Sequence, residues 1–264
     1  MIVDYHMHLR APDESIDHTV DAVERFVEVA RARGIDEIGF TEHVYYFEET
    51  RPLWSVPYHL QRCRYPLDGY VDAVLEAKRR GLPVKLGLEV DYEPDREEET
   101  QEILAPYPWD YLIGSIHFID GSGIDGEPSL VGEVGVEAAW RLYYETLGRA
   151  AASGLFDTLA HPDLVKMHGP ELPWDWSAVA EALDGVRLEV SSAGLHKPHG
   201  KLYPNDELLR RAKERAVEIT LASDAHIPQN VGRDLDRAIE HAKAAGYDTV
   251  TVFEARQARQ EPLG

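Results

Sequence analysis

Cysteine is nearly absent from this sequence, because Cys63 is the only one among 264 residues. A single thiol excludes a disulfide within the chain and a zinc site built from cysteines. Its only activating neighbours are Arg62 and Arg64. We therefore expect Cys63 to pack as a small apolar side chain and not to act as a nucleophile.

Positive charge is also scarce. Lysine and arginine total 27 against 48 acidic residues, which gives a formal net charge of −21. Such a surface repels nucleic acid and anionic membranes, so we expect neither as a partner and a small molecule as the substrate. An anionic substrate then needs local positive charge, from metal ions or from a few basic side chains. No feature indicates the oligomeric state.

Long apolar runs are missing as well. No segment approaches the length of a transmembrane helix, and no apolar signal-peptide core follows Met1. The expected location is the cytoplasm.

The chain does contain a regular alternation of short apolar runs and amphipathic helical patterns. The apolar runs predict strands at 2–5, 35–41, 84–90, 111–117, 156–160, 186–190 and 219–223. Helical spacing predicts helices at 19–33, 67–80, 136–153, 205–215 and 230–245. Seven strand–helix units indicate one parallel α/β barrel domain over residues 1–264, although a further strand at 249–253 leaves an eightfold barrel open.

Two stretches interrupt this alternation. Residues 44–64 are rich in aromatic side chains and proline, and residues 120–135 are rich in glycine. Both follow the carboxyl end of a strand, where barrel enzymes form their active sites. We expect the first stretch to contribute to a substrate pocket, because its aromatic side chains would otherwise be exposed.

Histidines and carboxylates stand at the ends of most predicted strands. His6 and His8 share one face of the first strand, because strand side chains alternate, so both can bind one divalent ion. The later strands end in Glu42-His43, Glu89, His117, His161 and Asp224-Ala225-His226. One such motif is weak in a chain with 12 histidines. Their recurrence at one face of a barrel predicts a multinuclear metal site.

These motifs resemble those of the PHP (polymerase and histidinol phosphatase) family of metal-dependent phosphoesterases. The matching segments are His6-Met7-His8, Thr41-Glu42-His43, Gly87-Leu88-Glu89, Gly114-Ser115-Ile116-His117, Ala160-His161-Pro162-Asp163 and Ser223-Asp224-Ala225-His226. A closer similarity, to the monofunctional histidinol-phosphate phosphatases, rests on 153–156, 161–166, 192–195, Lys197-Pro198 and Tyr203-Pro204. The resemblance implies a distorted (β/α)7 barrel.

The resemblance also implies two or three divalent ions, of zinc, manganese or iron. The ligands implied for the first ion are His6, His8, Glu89 and Asp224. Those for the second are Glu89, as a bridge, with His117 and His161. Those for the third are His43, His226 and one more residue, for which His18 is the best match and Asp13 and Glu14 compete.

The implied reaction is hydrolysis of L-histidinol phosphate to L-histidinol and phosphate, in histidine biosynthesis. Attack by a metal-bridging hydroxide would depend on Glu89 and Asp224. The candidates for phosphate binding are Lys166 and Lys197, with Arg10 and His196 as lesser ones. Because His196 stands where close relatives often have arginine, a PHP phosphoesterase acting on a nucleotide, a sugar phosphate or phosphotyrosine is the alternative.

Two other classes fit the sequence less well. Metal-dependent amidohydrolases also begin with His-x-His, but many binuclear members need a carboxylated lysine at the fourth strand, where this chain has Ser115-Ile116-His117. A barrel that binds metal without catalysis would have a degenerate site, whereas every ligand that the resemblance implies has a match here.

Overall fold

The predicted parallel strands are present, and the third is broken in two. The computed structural model describes residues 1–11, 13–168 and 172–264. Its strands are β1 (Val3–Asp4), β2 (Glu37–Phe40), β3 (Val84–Leu86), β4 (Glu89–Asp91), β5 (Ile113–Ser115), β6 (Phe118–Ile119), β7 (Ser122–Gly123), β8 (Thr158–Leu159), β9 (Arg187–Ser191), β10 (Ile219–Ala222), β11 (Thr249–Glu254) and β12 (Gln257–Pro262).

Helices follow the strands as the apolar spacing predicts. They are α1 (Val20–Ala32), α2 (Pro57–Leu60), α3 (Leu67–Arg79), α4 (Glu97–Leu104), α5 (Leu130–Val134), α6 (Val136–Ala152), α7 (Trp176–Ala182), α8 (Asp206–Glu214) and α9 (Leu235–Ala244). The first begins at an N-cap, where the Thr19 hydroxyl accepts from the Ala22 amide at 3.2 Å. It buries the face formed by Val23, Phe26 and Val27.

The parallel strands form two sheets that meet at both edges. One sheet has the order β1-β2-β3, and the other has the order β10-β9-β8-β5-β4. The Tyr5 amide donates to the Leu221 carbonyl at 2.9 Å, which joins the β1 and β10 edges, and the Glu89 amide in β4 donates to the carbonyl of Glu42, which follows β2, at 3.0 Å. With β3 and β4 as one interrupted strand, this is the distorted seven-stranded barrel that the sequence predicts.

The break between β3 and β4 includes Gly87, where any larger residue would displace neighbouring atoms. A Cβ atom on Gly87 would lie 2.7 Å from the ring of Tyr111 and 2.9 Å from the Phe40 carbonyl oxygen. The Tyr111 side chain is fully buried, and its hydroxyl donates to the Tyr5 carbonyl at 2.8 Å. The close approach of Tyr111 and of the Phe40 carbonyl therefore requires glycine at position 87.

The segment at 249–253 does not add an eighth parallel strand. It lies in β11, which pairs antiparallel with β12. The ring of Phe253 stacks on Tyr111 with a centroid distance of 5.2 Å, so this hairpin packs against the aromatic core of the barrel. No helix within the described ranges is long and apolar enough to cross a membrane.

Candidate metal centre

Glu89 lies at the centre of the predicted histidines. It begins β4 and is only 1% exposed. The shortest nitrogen–oxygen distances from its carboxylate are 2.6 Å to His43, 3.2 Å to His161, 3.4 Å to His6, 3.6 Å to His117 and 3.7 Å to His8. These five imidazoles follow four strands, β1, β2, β5 and β8, and they meet because the carboxyl ends of the parallel strands lie at one face of the barrel.

Asp224 provides a second carboxylate beside the first. Its Oδ1 atom lies 3.4 Å from Nε2 of His8, 3.7 Å from Nε2 of His6 and 3.5 Å from Nδ1 of His226. The backbone has an uncommon left-handed conformation at this residue, with φ of +53°, and also at His161, with φ of +27°. Such strain is tolerated where it aims a side chain that a site requires.

Four overlapping groups of side chains within the described ranges have ligand atoms that lie within 4.8 Å of one another. They are His6-His8-Asp224, His6-Glu89-His161, His43-Glu89-His117 and His8-His43-His226. Eight of the nine predicted metal ligands therefore meet at one place, and the ninth, His18, lies outside these groups.

His18 contacts a carboxylate that the sequence analysis left without a role. Its Nε2 atom lies 3.1 Å from Oε2 of Glu42, whose other oxygen accepts from Nδ1 of His8 at 3.2 Å. The competing candidates, Asp13 and Glu14, are both exposed. The structure thus places the Glu42 carboxylate between His18 and His8, so His18 contacts the cluster through Glu42.

Three buried carboxylates hold the far nitrogens of the clustered imidazoles. Glu189 accepts from Nδ1 of His6 at 2.6 Å, and Asp91 accepts from Nδ1 of His117 at 2.5 Å. Glu42 has the same role toward His8. Such partners orient a ligating imidazole and select its tautomer. Sequence reasoning missed Glu189 and Asp91, although both stand within strands, the signal that drew attention to Glu89.

The pKa values of these groups depend on one another. Burial favours the neutral acid, but the surrounding imidazoles, His43 first, hold the pKa of Glu89 well below its usual value. Burial, followed by the charge on His8, lowers the pKa of His43 to about 4 and that of His226 to about 3. An ionised carboxylate and neutral imidazoles are the forms that bind metal ions.

A cavity of about 200 Å³ opens above this cluster. Arg10 and Lys197 line it together with the aromatic side chains Tyr45, Tyr46, Tyr58 and Phe118. The 44–64 segment therefore lines a cavity beside the cluster, and its contribution to a substrate pocket stays a prediction. A larger cavity, of about 400 Å³, is lined by residues such as Leu104, Trp109 and Phe156 and includes none of the predicted site residues.

Two of the predicted phosphate-binding residues lie away from the cavity lining. Nζ of Lys166 is buried and donates to Oδ2 of Asp163 at 2.8 Å and to the Leu202 carbonyl at 2.6 Å. His196 contacts Asp234, with 2.7 Å between Nε2 and Oδ2. Both side chains are engaged elsewhere, so the structure does not support phosphate binding by either.

The parallel barrel and the histidines and carboxylates at its mouth define a hydrolase-like α/β barrel with a candidate metal centre. The PHP domain family matches residues 4–195, and this chain belongs to that family. The resemblance drawn from the strand-end motifs is thereby confirmed.

Two relatives match most of the chain, and one solved structure shares its fold. The chain is 33% identical over 254 residues to the probable histidinol-phosphatase of Deinococcus radiodurans, covering 92% of this chain and 94% of that one. It is 27% identical over 252 residues to the histidinol-phosphatase of Bacillus subtilis, covering 83% and 92%. Its fold matches that of histidinol phosphate phosphatase from Lactococcus lactis, solved with zinc, L-histidinol and phosphate, with a TM-score of 0.78, 22% identity and 98% coverage of each chain.

Proposed function

We propose that this protein is a metal-dependent phosphatase that hydrolyses L-histidinol phosphate to L-histidinol and phosphate. The observation that carries the proposal is the cavity whose floor is the cluster around Glu89 and whose rim carries Arg10 and Lys197. The family and the similarity to curated histidinol-phosphatases support the choice of substrate. We place the reaction in the cytoplasm, as the sequence predicts.

The residues at the floor fit divalent ions. Five of their polar atoms are buried and make no aligned hydrogen bond within the described part of the chain: Nε2 of His6, Nε2 of His8, Nδ1 of His43, Oε2 of Glu89 and Nδ1 of His161. Buried polar atoms are rarely left unsatisfied, so ligation is the simplest account of them. Imidazole and carboxylate donors suit zinc, manganese or iron.

We assign the ligands by position. Glu89 would bridge, since its two oxygens face imidazoles on opposite sides. Asp224 would share one ion with the histidine pair of β1, and His117 and His161 would hold a second with Glu89. His43 and His226 would hold a third, and His18 stays a prediction for that ion, because Glu42 separates it from the other ligands.

Ions bound there lower the pKa of a water molecule and neutralise charge on a phosphoryl group. The chain's own groups have the complementary tasks. Arg10 lines the cavity, and its Nη2 donates to the Tyr46 hydroxyl at 2.8 Å, which positions the guanidinium beside the cluster. Lys197 is a second cation on the cavity lining. A guanidinium is well suited to phosphate because it presents several fixed donors.

The remainder of the cavity suits the organic part of the substrate. Tyr45, Tyr58 and Phe118 offer aromatic faces to an imidazole ring, and Asp125 adds a carboxylate to the lining. Histidinol phosphate carries its ammonium group on the central carbon, between the imidazole arm and the carbon that bears the phosphate. We infer that the phosphate faces the basic side and the metal ions, and that the ammonium group faces Asp125.

The direct experiment is a kinetic comparison on the purified protein loaded with zinc or manganese. We expect kcat/KM for histidinol phosphate to exceed that for nucleotides, sugar phosphates and phosphotyrosine, and chelation to abolish turnover. Equal rates across the panel would overturn the substrate assignment and favour the broader phosphoesterase. Absence of activity on every ester after metal loading would overturn the phosphatase itself.

A further inference from the structure

His59 is a buried imidazole that the proposed reaction does not use. It lies in α2, within the aromatic segment, and its exposed fraction is 0%. The ring packs between Trp54 and Phe118, with centroid distances of 4.7 and 4.6 Å. Both ring nitrogens are buried and lack a well-aligned hydrogen bond within the described part of the chain. Burying such polar atoms costs free energy, so a phenylalanine would fit this aromatic environment better.

The nearest polar partner of His59 belongs to the candidate metal centre. Its Nε2 atom lies 3.3 Å from Oδ2 of Asp91, an oxygen that also lacks an aligned donor among the described residues. The other oxygen, Oδ1, accepts from Nδ1 of His117 at 2.5 Å and from the Ser115 hydroxyl at 3.0 Å. Asp91 thus stands between the two imidazoles, with one oxygen facing each.

This arrangement fixes which nitrogen of His117 is available. An ionised carboxylate only accepts hydrogen bonds, so the nitrogen that faces each oxygen of Asp91 carries the proton. The lone pair of His117 is then on Nε2, which lies 3.6 Å from Oε1 of Glu89. Two donors hold Oδ1 of Asp91, and the His59 ring faces Oδ2 across 3.3 Å, so the carboxylate is contacted on both oxygens and has little freedom to turn.

We propose that His59 is a positioning residue, which fixes Asp91 so that Asp91 presents Nε2 of His117 to the metal centre. The same contact ties the aromatic wall of the cavity to a metal ligand. This inference rests on the proposed metal site, and it concerns affinity for metal as well as turnover.

Three substitutions of His59 separate this role from simple packing. H59F keeps an aromatic ring among Trp54 and Phe118 but removes the donor. H59Q places an amide donor near the position of Nε2, whereas H59N has the same chemistry on a shorter side chain that cannot reach Asp91. Zinc affinity is measured by chelator competition, together with the number of ions bound, thermal unfolding of the metal-free protein, kcat and KM.

We expect H59F and H59N to lower the affinity for one zinc ion by about 10- to 100-fold. Loss of a hydrogen-bonding partner behind a metal ligand has an effect of this size. kcat should fall with little change in KM, metal-free H59F should unfold near the wild-type temperature, and H59Q should recover most of the affinity. Wild-type zinc binding in H59F would overturn the proposal, as would equal weakening in H59Q and H59N. If H59F does not fold, the comparison of H59Q with H59N decides. Failure of the wild-type protein to bind zinc would instead overturn the proposed function.

Discussion

Nδ1 of His43 lies 2.6 Å from Oε2 of Glu89, and this contact joins the segment after β2 to the start of β4, which belongs to the other sheet. The same two residues also form an isolated parallel bridge. Glu89 is almost completely buried, and a buried carboxylate needs positive partners. Burial opposes a charge on the imidazoles of His6 and His117, but the neighbouring carboxylates hold their pKa well above the usual value, so these two supply positive charge in the metal-free protein. Metal ions would do so in the bound protein. We therefore expect metal binding to depend on Glu89 more than on any other residue.

Replacement of Glu89 by glutamine should remove the bridging charge and keep the shape. We expect E89Q to lose zinc and to lower kcat/KM by more than about 100-fold. Loss of a residue behind a metal ligand costs up to about 100-fold, and loss of a direct ligand should cost more. Elemental analysis and phosphate release measure the two effects. E76Q is the matched control, because Glu76 pairs with Arg80 on the surface of α3. Full zinc occupancy in E89Q would contradict the central position given to this carboxylate.

Replacement of Glu189 tests an outer carboxylate. E189Q should weaken zinc binding by about 10- to 100-fold, because Nδ1 of His6 would lose its charged acceptor. The affinity is read by chelator competition, and activity should return when zinc is supplied in excess. An unchanged affinity would show that His6 is oriented without Glu189.

The two lysines near the site should behave differently. K166M leaves the carboxylate of Asp163 buried without its cation, and we expect a loss of about 3–5 kcal/mol in the free energy of unfolding. K197M should change that free energy by less than about 0.5 kcal/mol, as most surface substitutions do, and should raise KM for the phosphate ester. Urea unfolding and steady-state kinetics test both. A stable K166M with a raised KM would restore the phosphate-binding prediction for Lys166.

Asp125 should strengthen the binding of substrates that carry an ammonium group. D125N should raise KM for histidinol phosphate about tenfold, since a hydrogen bond to a charged group contributes on the order of 1.5 kcal/mol. KM for the analogue without the amino group, imidazolylpropyl phosphate, should stay the same. Equal effects on both esters would rule out an ammonium contact.

His199 should make the free energy of unfolding decrease as the pH falls. Burial, followed by the charge on Lys166, lowers its pKa from 6.5 to about 4 in the folded protein. The unfolded chain therefore takes up a proton first as the pH falls, so the stability present above pH 6.5 is lost progressively toward pH 4. H199Q should reduce this loss relative to the wild type in urea unfolding of the metal-free protein. Parallel pH profiles would contradict the assignment.

The barrel and the cluster of histidines and carboxylates at its mouth could largely be predicted from the sequence, because both follow from local order. Apolar runs alternate with helical spacing, and histidines or carboxylates close the strands. Parallel strands bring their carboxyl ends to one face, so a residue such as His161 is placed near His6 by topology alone. The membership of the family rests on the same motifs.

The partners of those ligands were decided by tertiary packing. Lys166 follows a strand end as a phosphate-binding residue would, yet it turns inward to Asp163. The 249–253 segment has a strand pattern, but its partner is β12 and not the barrel. Glu189 and Asp91 are placed behind imidazoles by the register of neighbouring strands. Sequence spacing determines which side chains lie on the same face of a strand or helix. Which buried charges pair with each other depends on distances across the barrel, and only the folded chain sets those distances.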